Sequence, residues 1–219
     1  MSERLTFEKK RQRAPSKRAV RSRERILDAA ERVFSEKGFD GATIRDIAAA
    51  AETPVGLVHH HGGGKAELFA QTVQRRASEL SALRLDLLSE RKSAAPLDLR
   101  GILECFFGPY LDKARTGGRQ WVAYGRLVAH VSADPRWREI AADCFDPTAN
   151  RFIDEIAALY PAAPRAAIAS GFVYSVSAML ALLTSSWRIE TLGATPSATD
   201  SIDGLVAFCA AGIHASLTA

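Results

Sequence analysis

Cysteine is scarce in this 219-residue chain. Its three copies, Cys105, Cys144 and Cys209, lie far apart and form no CxxC pair. They supply no disulfide framework, so a reducing, cytoplasmic setting is expected. Strand patterning is nearly missing: almost nothing alternates apolar and polar with period two, while helical spacing recurs throughout. The motifs of common enzyme classes are lacking as well. No GxSxG elbow, P-loop, HExxH pair or glycine-rich dinucleotide turn is present, so neither a catalytic site nor a cofactor is expected. Gly62 to Lys65 looks superficially like a phosphate loop, but the preceding strand and the full spacing are missing. The basic start of the chain has no apolar stretch of the kind that marks a secretory signal, and none is expected.

Acidic residues are few at that end. The first 25 residues carry ten lysines and arginines against Glu3, Glu8 and Glu24, which leaves the remainder mildly acidic. A basic head of this kind suits phosphate backbones or an anionic membrane surface, and a solvated tail has the same composition. Charge is also lacking over the 22 residues from Ala166 to Trp187. That length could cross a bilayer, which takes roughly 20 residues. Its serines, threonine and many alanines make it weakly hydrophobic, and no second segment resembles it, so no membrane partner is expected. A helix apolar all round is equally what a buried subunit interface needs.

What is present is helix. Residues 1–16 read as a flexible basic arm closed by Pro15-Ser16. A first helix is expected over about 17–37, with Ile26, Ala30, Val33 and Phe34 on one apolar stripe and Gly38 as a left-handed cap. Thr43 caps a short helix ending near Ala51, with Asp46 in its first turn at the positive end of the dipole. Thr53 is expected to cap a second short helix over 54–60, with Pro54 at its first position. A long helix follows from about Lys65 to Lys92. Further segments are expected at 97–107, 109–116, 119–132, 135–143, 147–160, 164–189 and 200–217, separated by Gly108-Pro109, Gly117-Gly118, Asp134-Pro135, Asp146-Pro147, Pro161 to Pro164 and the Gly193–Ser201 loop.

The segment from Thr43 to His61 has helix-turn-helix form, two short helices about three residues apart. Ala48 is the small residue where the helices cross, and Val58 is the buried aliphatic on the second. Pro54, Val55, Gly56 and Leu57 keep the leading end of that helix thin enough for a major groove about 12 Å wide. A helix this small and apolar also fits an ordinary core, and the basic arm just before it favours the DNA reading. His59, His60 and His61 suggest a metal at first sight. Consecutive helical residues point about 100° apart and zinc ligands are usually spaced, so no metal is expected; His61 is expected to pack internally.

The run from Arg25 to Ala48, RILDAAERVFSEKGFDGATIRDIA, together with Lys65-Ala-Glu-Leu-Phe69, resembles the tetracycline-repressor (TetR) family. The resemblance covers about residues 20–70; the rest matches in being helical and of suitable length. It implies an all-α protein: a three-helix DNA-binding head at 17–64, and a larger helical ligand-binding and dimerisation domain at 65–219. It implies a repressor of transcription, released from a double-stranded DNA operator by a small-molecule effector. In this alignment Thr43, Arg45, Thr53, Val55, Gly56, Leu57, His59, His60 and Lys65 form the DNA-binding set. Thr43 touches a phosphate, Val55, Gly56 and Leu57 face base edges, and His59, His60 and Lys65 meet the backbone, Lys65 helped by the dipole of its helix.

The chain departs from the family pattern at three positions. Glu52 stands at the turn position usually held by glycine, where a left-handed conformation costs on the order of 1 kcal/mol. His59 replaces an aromatic. Gly62 replaces a phenylalanine, which removes a core anchor and implies a loose Gly62-Gly63-Gly64 link. These departures keep a second reading open, a helical small-molecule or protein-binding module with a degenerate DNA-binding head.

In the larger half Phe106, Phe107, Tyr110, Trp121 and Tyr124 concentrate on two adjacent helices. Such stripes form core or line a pocket between helices. The effector wall expected here is Phe106, Tyr110, Trp121, Tyr124 and Val128, with Arg126 and His130 as the nearest polar groups. A homodimer is expected through about 165–189 and 200–217. Ser170, Gly171, Ser175 and Ala178 there allow close approach, and Phe172, Val176, Met179 and Leu183 supply buried area.

Overall fold

The computed structural model describes residues 16–193 and 202–218. Of the expected basic arm it describes only Ser16, and the rest of the arm, like the Ala194–Ser201 part of the expected loop, lies outside the described residues. Ten helices follow one another, and no strand occurs among the described residues: α1 (Lys17–Gly41), α2 (Ile44–Ala50), α3 (Val55–Gly62), α4 (Lys65–Ala94), α5 (Leu99–Thr116), α6 (Arg119–Ala133), α7 (Arg138–Cys144), α8 (Asp146–Leu159), α9 (Arg165–Gly193) and α10 (Ile202–Thr218). A 3-10 turn, Pro135–Trp137, leads into α7.

The α1 stripe is buried as its spacing predicts: Ile26, Ala30, Val33 and Phe34 are each less than 8% exposed. Burying a large apolar side chain contributes roughly 1.5–3 kcal/mol, so this face decides where α1 lies. It packs on α2, α3, α4 and α6. Gly38 breaks the helical geometry at φ 68°, as its expected cap role requires. Just beyond, Phe39 meets Trp137 with ring centroids 4.6 Å apart and Phe69 at 5.4 Å. One aromatic cluster thereby ties the end of α1 to the start of α4 and to the 3-10 turn.

Three expectations need correction. Gly108-Pro109 does not separate two helices, because α5 runs through it. Pro109 deprives the preceding turn of an N–H, but Phe106, Phe107 and Tyr110 are buried on both sides of it and hold the helix on course. Arg84 Nε also donates to the Phe106 carbonyl at 2.7 Å. Second, Phe172 and Met179 are each 2% exposed within the protomer. Gly171 faces α10 of the same chain, where an added Cβ would lie 3.0 Å from Ile213 Cγ1. The apolar face that α9 and α10 leave open is instead carried by Tyr174 and Phe208, which are 72% and 73% exposed. Third, Gly62 is no loose link. It ends α3 and is buried, with Leu68 Cδ1 2.7 Å from where a Cβ would stand, so Leu68 fills the space a larger residue would take.

Candidate nucleic-acid interface and effector cavity

α2 is locked at both ends. The Asp46 N–H donates to Thr43 Oγ1 at 3.1 Å, while the Asp46 carboxylate accepts from the Thr43 N–H at 3.0 Å and hydroxyl at 2.7 Å. This reciprocal capping box satisfies two free helix-end donors. Lys37 Nζ lies 2.9 Å from the same carboxylate. The Lys37 ammonium and the Thr43 bonds together hold the Asp46 carboxyl down to about 2. At the other end Arg32 donates to the Ala50 carbonyl at 3.2 Å.

The turn then places α3. Glu52 adopts φ 50°, the left-handed conformation expected of its position. Thr53 does not cap α3: Pro54 is the N-cap, its carbonyl accepting from the Leu57 N–H at 2.9 Å, and no side chain caps the helix. The fixed φ of proline suits that place. Replacing Glu52 by glycine is expected to stabilise the fold by about 0.5 kcal/mol, since relief of 1–2 kcal/mol of backbone strain exceeds the 0.4–1 kcal/mol of extra chain entropy. Urea unfolding checks this, with Glu52→Ala as the control that gains nothing.

Val58 and Ala48 are buried where α2 and α3 cross. Outward from that contact stand Val55, Gly56, His59 and His60, all exposed, beside exposed Thr43 and Arg45 on α2. Leu57 is half-buried against the core, which moves the outer edge of α3 to Val55 and Gly56. His59 Nδ1 donates to the Gly63 carbonyl at 3.1 Å. Lys65 is half-buried: its ammonium donates to the Asp40 carbonyl at 3.3 Å and sits 4.5 Å from the Phe39 ring centroid. It joins α4 to α1 as well as standing at the helix start. His61 is half-buried, and its burial, with His60 and Arg23 nearby, pushes its pKa down. Among the described residues no three His, Cys, Asp or Glu side chains gather as a metal site.

The second feature is a cavity of about 450 Å³ enclosed by α4, α5, α6, α8 and α9, with α7 at its edge. Phe106, Tyr110, Tyr124 and Val128 line it, four of the five residues expected to do so. Trp121 does not. Its carbonyl accepts from the Tyr110 hydroxyl at 3.1 Å, and its buried ring lies 5.1 Å from the Arg76 guanidinium and 5.4 Å from the Lys113 ammonium. Arg126 and His130 are exposed and stay out of the wall. Burial raises the pKa of Tyr110 and of Tyr124, so both stay neutral donors.

Two sequence profiles match the chain. "Bacterial regulatory proteins, tetR family" matches residues 26–72, which include the α2–α3 helix-turn-helix just described, and "Tetracyclin repressor-like, C-terminal domain" matches residues 104–212, most of the helices that build the cavity. The chain belongs to the TetR family. Curated TetR-family relatives include the transcriptional repressor AcnR of Corynebacterium efficiens, 35% identical over 31% of this chain and 36% of that one. AcnR of Corynebacterium glutamicum is 32% identical over 42% and 45%, and the repressor NicS of Pseudomonas putida 30% identical over 37% and 41%. The matched stretch thus spans less than half the length of these relatives.

Solved TetR-family structures share the fold across nearly the whole chain. A regulator from Shewanella sp. PV-4 superposes with a TM-score of 0.66, at 17% identity over 87% of this chain and 97% of that one. The multidrug-binding protein EbrR, complexed with malachite green, gives 0.61 at 18% identity over 89% and 97%. TetR-family proteins are transcriptional regulators, and this chain has their architecture, an N-terminal helix-turn-helix followed by a helical domain.

Two residues central to this TetR-family chain escaped the sequence reading. Arg84 is nine-tenths buried in the cavity wall. Its signal was a charge inside an apolar stripe, between Ala77, Leu80 and Leu88 at helical spacing. Glu31 is fully buried between Ala30 and Val33. Its carboxylate accepts from Arg75 Nη2 at 2.7 Å and Arg76 Nε at 3.0 Å, joining α1 to the helix that continues into the cavity wall.

Proposed function

We propose that this protein represses transcription by binding a double-stranded operator as a homodimer, and that a small molecule entering the cavity releases it. The observation that carries the reading is the presentation of α3: a helix anchored through buried Val58 whose outer edge, Val55 and Gly56, is small and exposed, with exposed His59 and His60 one turn on. In this reading residues 17–64 are the DNA-binding head and residues 65–219 the sensing and dimerising body. Val55 and Gly56 meet base edges, Leu57 supports them from the core side, and Thr43, Arg45, Thr53, His59, His60 and Lys65 lie along the phosphates. Phe106, Tyr110, Tyr124 and Val128 contact the effector, while Trp121 carries the wall from behind. The open α9–α10 face takes the second copy, and paired half-sites on DNA match such a two-fold assembly. A cytoplasmic location and the lack of any catalysed reaction belong to the same reading.

α9 has the length and mean hydropathy, 1.9, of a membrane span. It packs against α6, α8 and α10, with Phe172 and Met179 buried in those contacts. That supports a soluble dimer helix over a span.

The test is recovery of bound fragments from sheared genomic DNA, followed by anisotropy on the enriched duplex across a salt series. Log affinity is expected to fall linearly with log salt, with a slope near −0.9 per phosphate contacted, and to exceed affinity for random duplex by about a thousandfold or more. Equal affinity for enriched and random duplex would leave the degenerate-head alternative.

A further inference from the structure

We infer that the cavity takes an amphipathic organic anion, a monocarboxylate with an apolar body, and that Arg84 is the seat of its carboxylate. The inference rests on the reading of this cavity as the effector site and goes on to name the chemical class of the effector.

Arg84 is 9% exposed, on the inner wall of the cavity. Its Nε donates to the Phe106 carbonyl at 2.7 Å and its Nη2 reaches Met179 Sδ at 3.8 Å. The guanidinium lies 3.6 Å from the Phe106 ring centroid. A carbonyl, a thioether and a ring face hold the group in place without neutralising it. No carboxylate pairs with it among the described residues, although Arg75, Arg76, Arg91, Arg136 and Arg165 all have acidic partners. Asp146, the acid in the cavity lining, is exposed at the start of α8 and forms no ion pair with Arg84. Nη1 has no hydrogen-bond partner among the described residues. Arg84 is itself part of the lining of the open volume.

A buried cation without a counter-charge is costly, and an unpaired guanidinium in a cavity wall is built for a planar anion. Burial lowers the Arg84 pKa to about 10, which still leaves it charged at neutral pH. The apolar part of the wall selects the body of the ligand. Leu80, Val128, Ile153, Phe172, Val176 and Leu180 are apolar. A dianion would leave one charge unmatched among them, and a neutral ligand would leave Arg84 unmatched. The volume of about 450 Å³ holds roughly fifteen water-sized groups, enough for a medium-chain or aryl-alkyl acid.

The experiment compares matched pairs on the full chain by calorimetry: decanoate with decan-1-ol, and 4-phenylbutyrate with 4-phenylbutan-1-ol. The neutral dye N-phenyl-1-naphthylamine reports independently on the apolar volume. The native protein is expected to bind each acid at least about tenfold tighter than its alcohol, the range of a charge-assisted hydrogen bond. Arg84→Met, folded by circular dichroism, is expected to lose that preference while retaining the dye. Arg84→Lys should keep part of it, and with the native pairs it decides the matter if the methionine variant does not fold. Equal binding of acid and alcohol by the native protein, or a preference that survives in Arg84→Met, overturns the anion inference and leaves the cavity reading intact wherever the dye binds. Failure of dye, acids and alcohols alike to bind overturns both.

Discussion

Glu31→Ala is expected to destabilise the protein by about 3 kcal/mol, lowering its melting temperature by roughly 10 °C. The carboxylate has no exposed surface, and Arg75 and Arg76, which are 23% and 12% exposed, converge on it. Removing one partner of a buried ion cluster costs about 3–5 kcal/mol, because the remaining charges are left desolvated. The lower end applies here. Asp28, half-exposed, lies 2.8 Å from Arg75 Nη1 and would keep that guanidinium paired. Arg76 loses most, since Asp28 is 3.9 Å from it and Glu79 3.6 Å. Replacing Glu31, Arg75 and Arg76 together by leucine or methionine should recover most of the loss, because the desolvation penalty goes with the charges. Reversible urea unfolding measures both effects. A loss below about 1 kcal/mol in Glu31→Ala would mean that the α1–α4 junction depends on the surrounding apolar contacts alone. The junction bears on function because α4 runs from the back of the head, through Arg75 and Arg76, to Leu80 and Arg84 in the cavity wall.

Phe208→Glu is expected to turn the proposed dimer into a monomer at micromolar concentration while leaving the protomer folded. Phe208 and Tyr174 project from α10 and α9 and line an apolar groove of about 540 Å³ with Ala167, Gly171 and Gly212. Apolar side chains this exposed on adjoining helices mark an interaction surface. A symmetric interface meets the substitution twice, and each buried, unpaired carboxylate costs several kcal/mol. At 1.4 kcal/mol per factor of ten, the dissociation constant should rise by at least about a thousandfold. Sedimentation velocity reads this directly, and operator binding should fall with it because two half-sites are no longer engaged together. A Phe208→Glu protein that sediments as a dimer would move the interface away from α9 and α10.

Much of this was legible in the residues. Thr43 with Asp46, Gly38 before Phe39, and Ala48 opposite Val58 are local signals whose chemistry works within a few residues, and each is found where its type demands. Four cavity-lining aromatic or aliphatic residues were also readable, since helical spacing places Phe106, Tyr110, Tyr124 and Val128 on inward faces. Periodicity shows that a face is buried, but it does not show what covers it. Phe172 and Met179 were therefore assigned to a second copy although α9 spends them inside its own protomer. Gly62 looked like a gap because Leu68, which fills it, comes from the next helix. Arg84 and Glu31 interrupt apolar stripes, and a stripe alone cannot tell a charge that finds a partner across the fold from one that reaches solvent. Pro109 reads as a break by local rules, and packing on both sides overrides them.

The most direct test of the DNA-reading claim is Gly56→Glu, measured for operator affinity and for stability on the same preparation. A Cβ at Gly56 would meet nothing within 4 Å, so the free protein has room for the side chain. Losing a helical glycine should also raise stability slightly, by up to about 1 kcal/mol. If α3 lies in the major groove, the added bulk and negative charge meet base edges and phosphates, and operator affinity should drop at least about a hundredfold, near the upper end of what one mismatched base pair costs. Unchanged operator affinity in a stably folded Gly56→Glu protein would show that this edge of α3 does not face DNA.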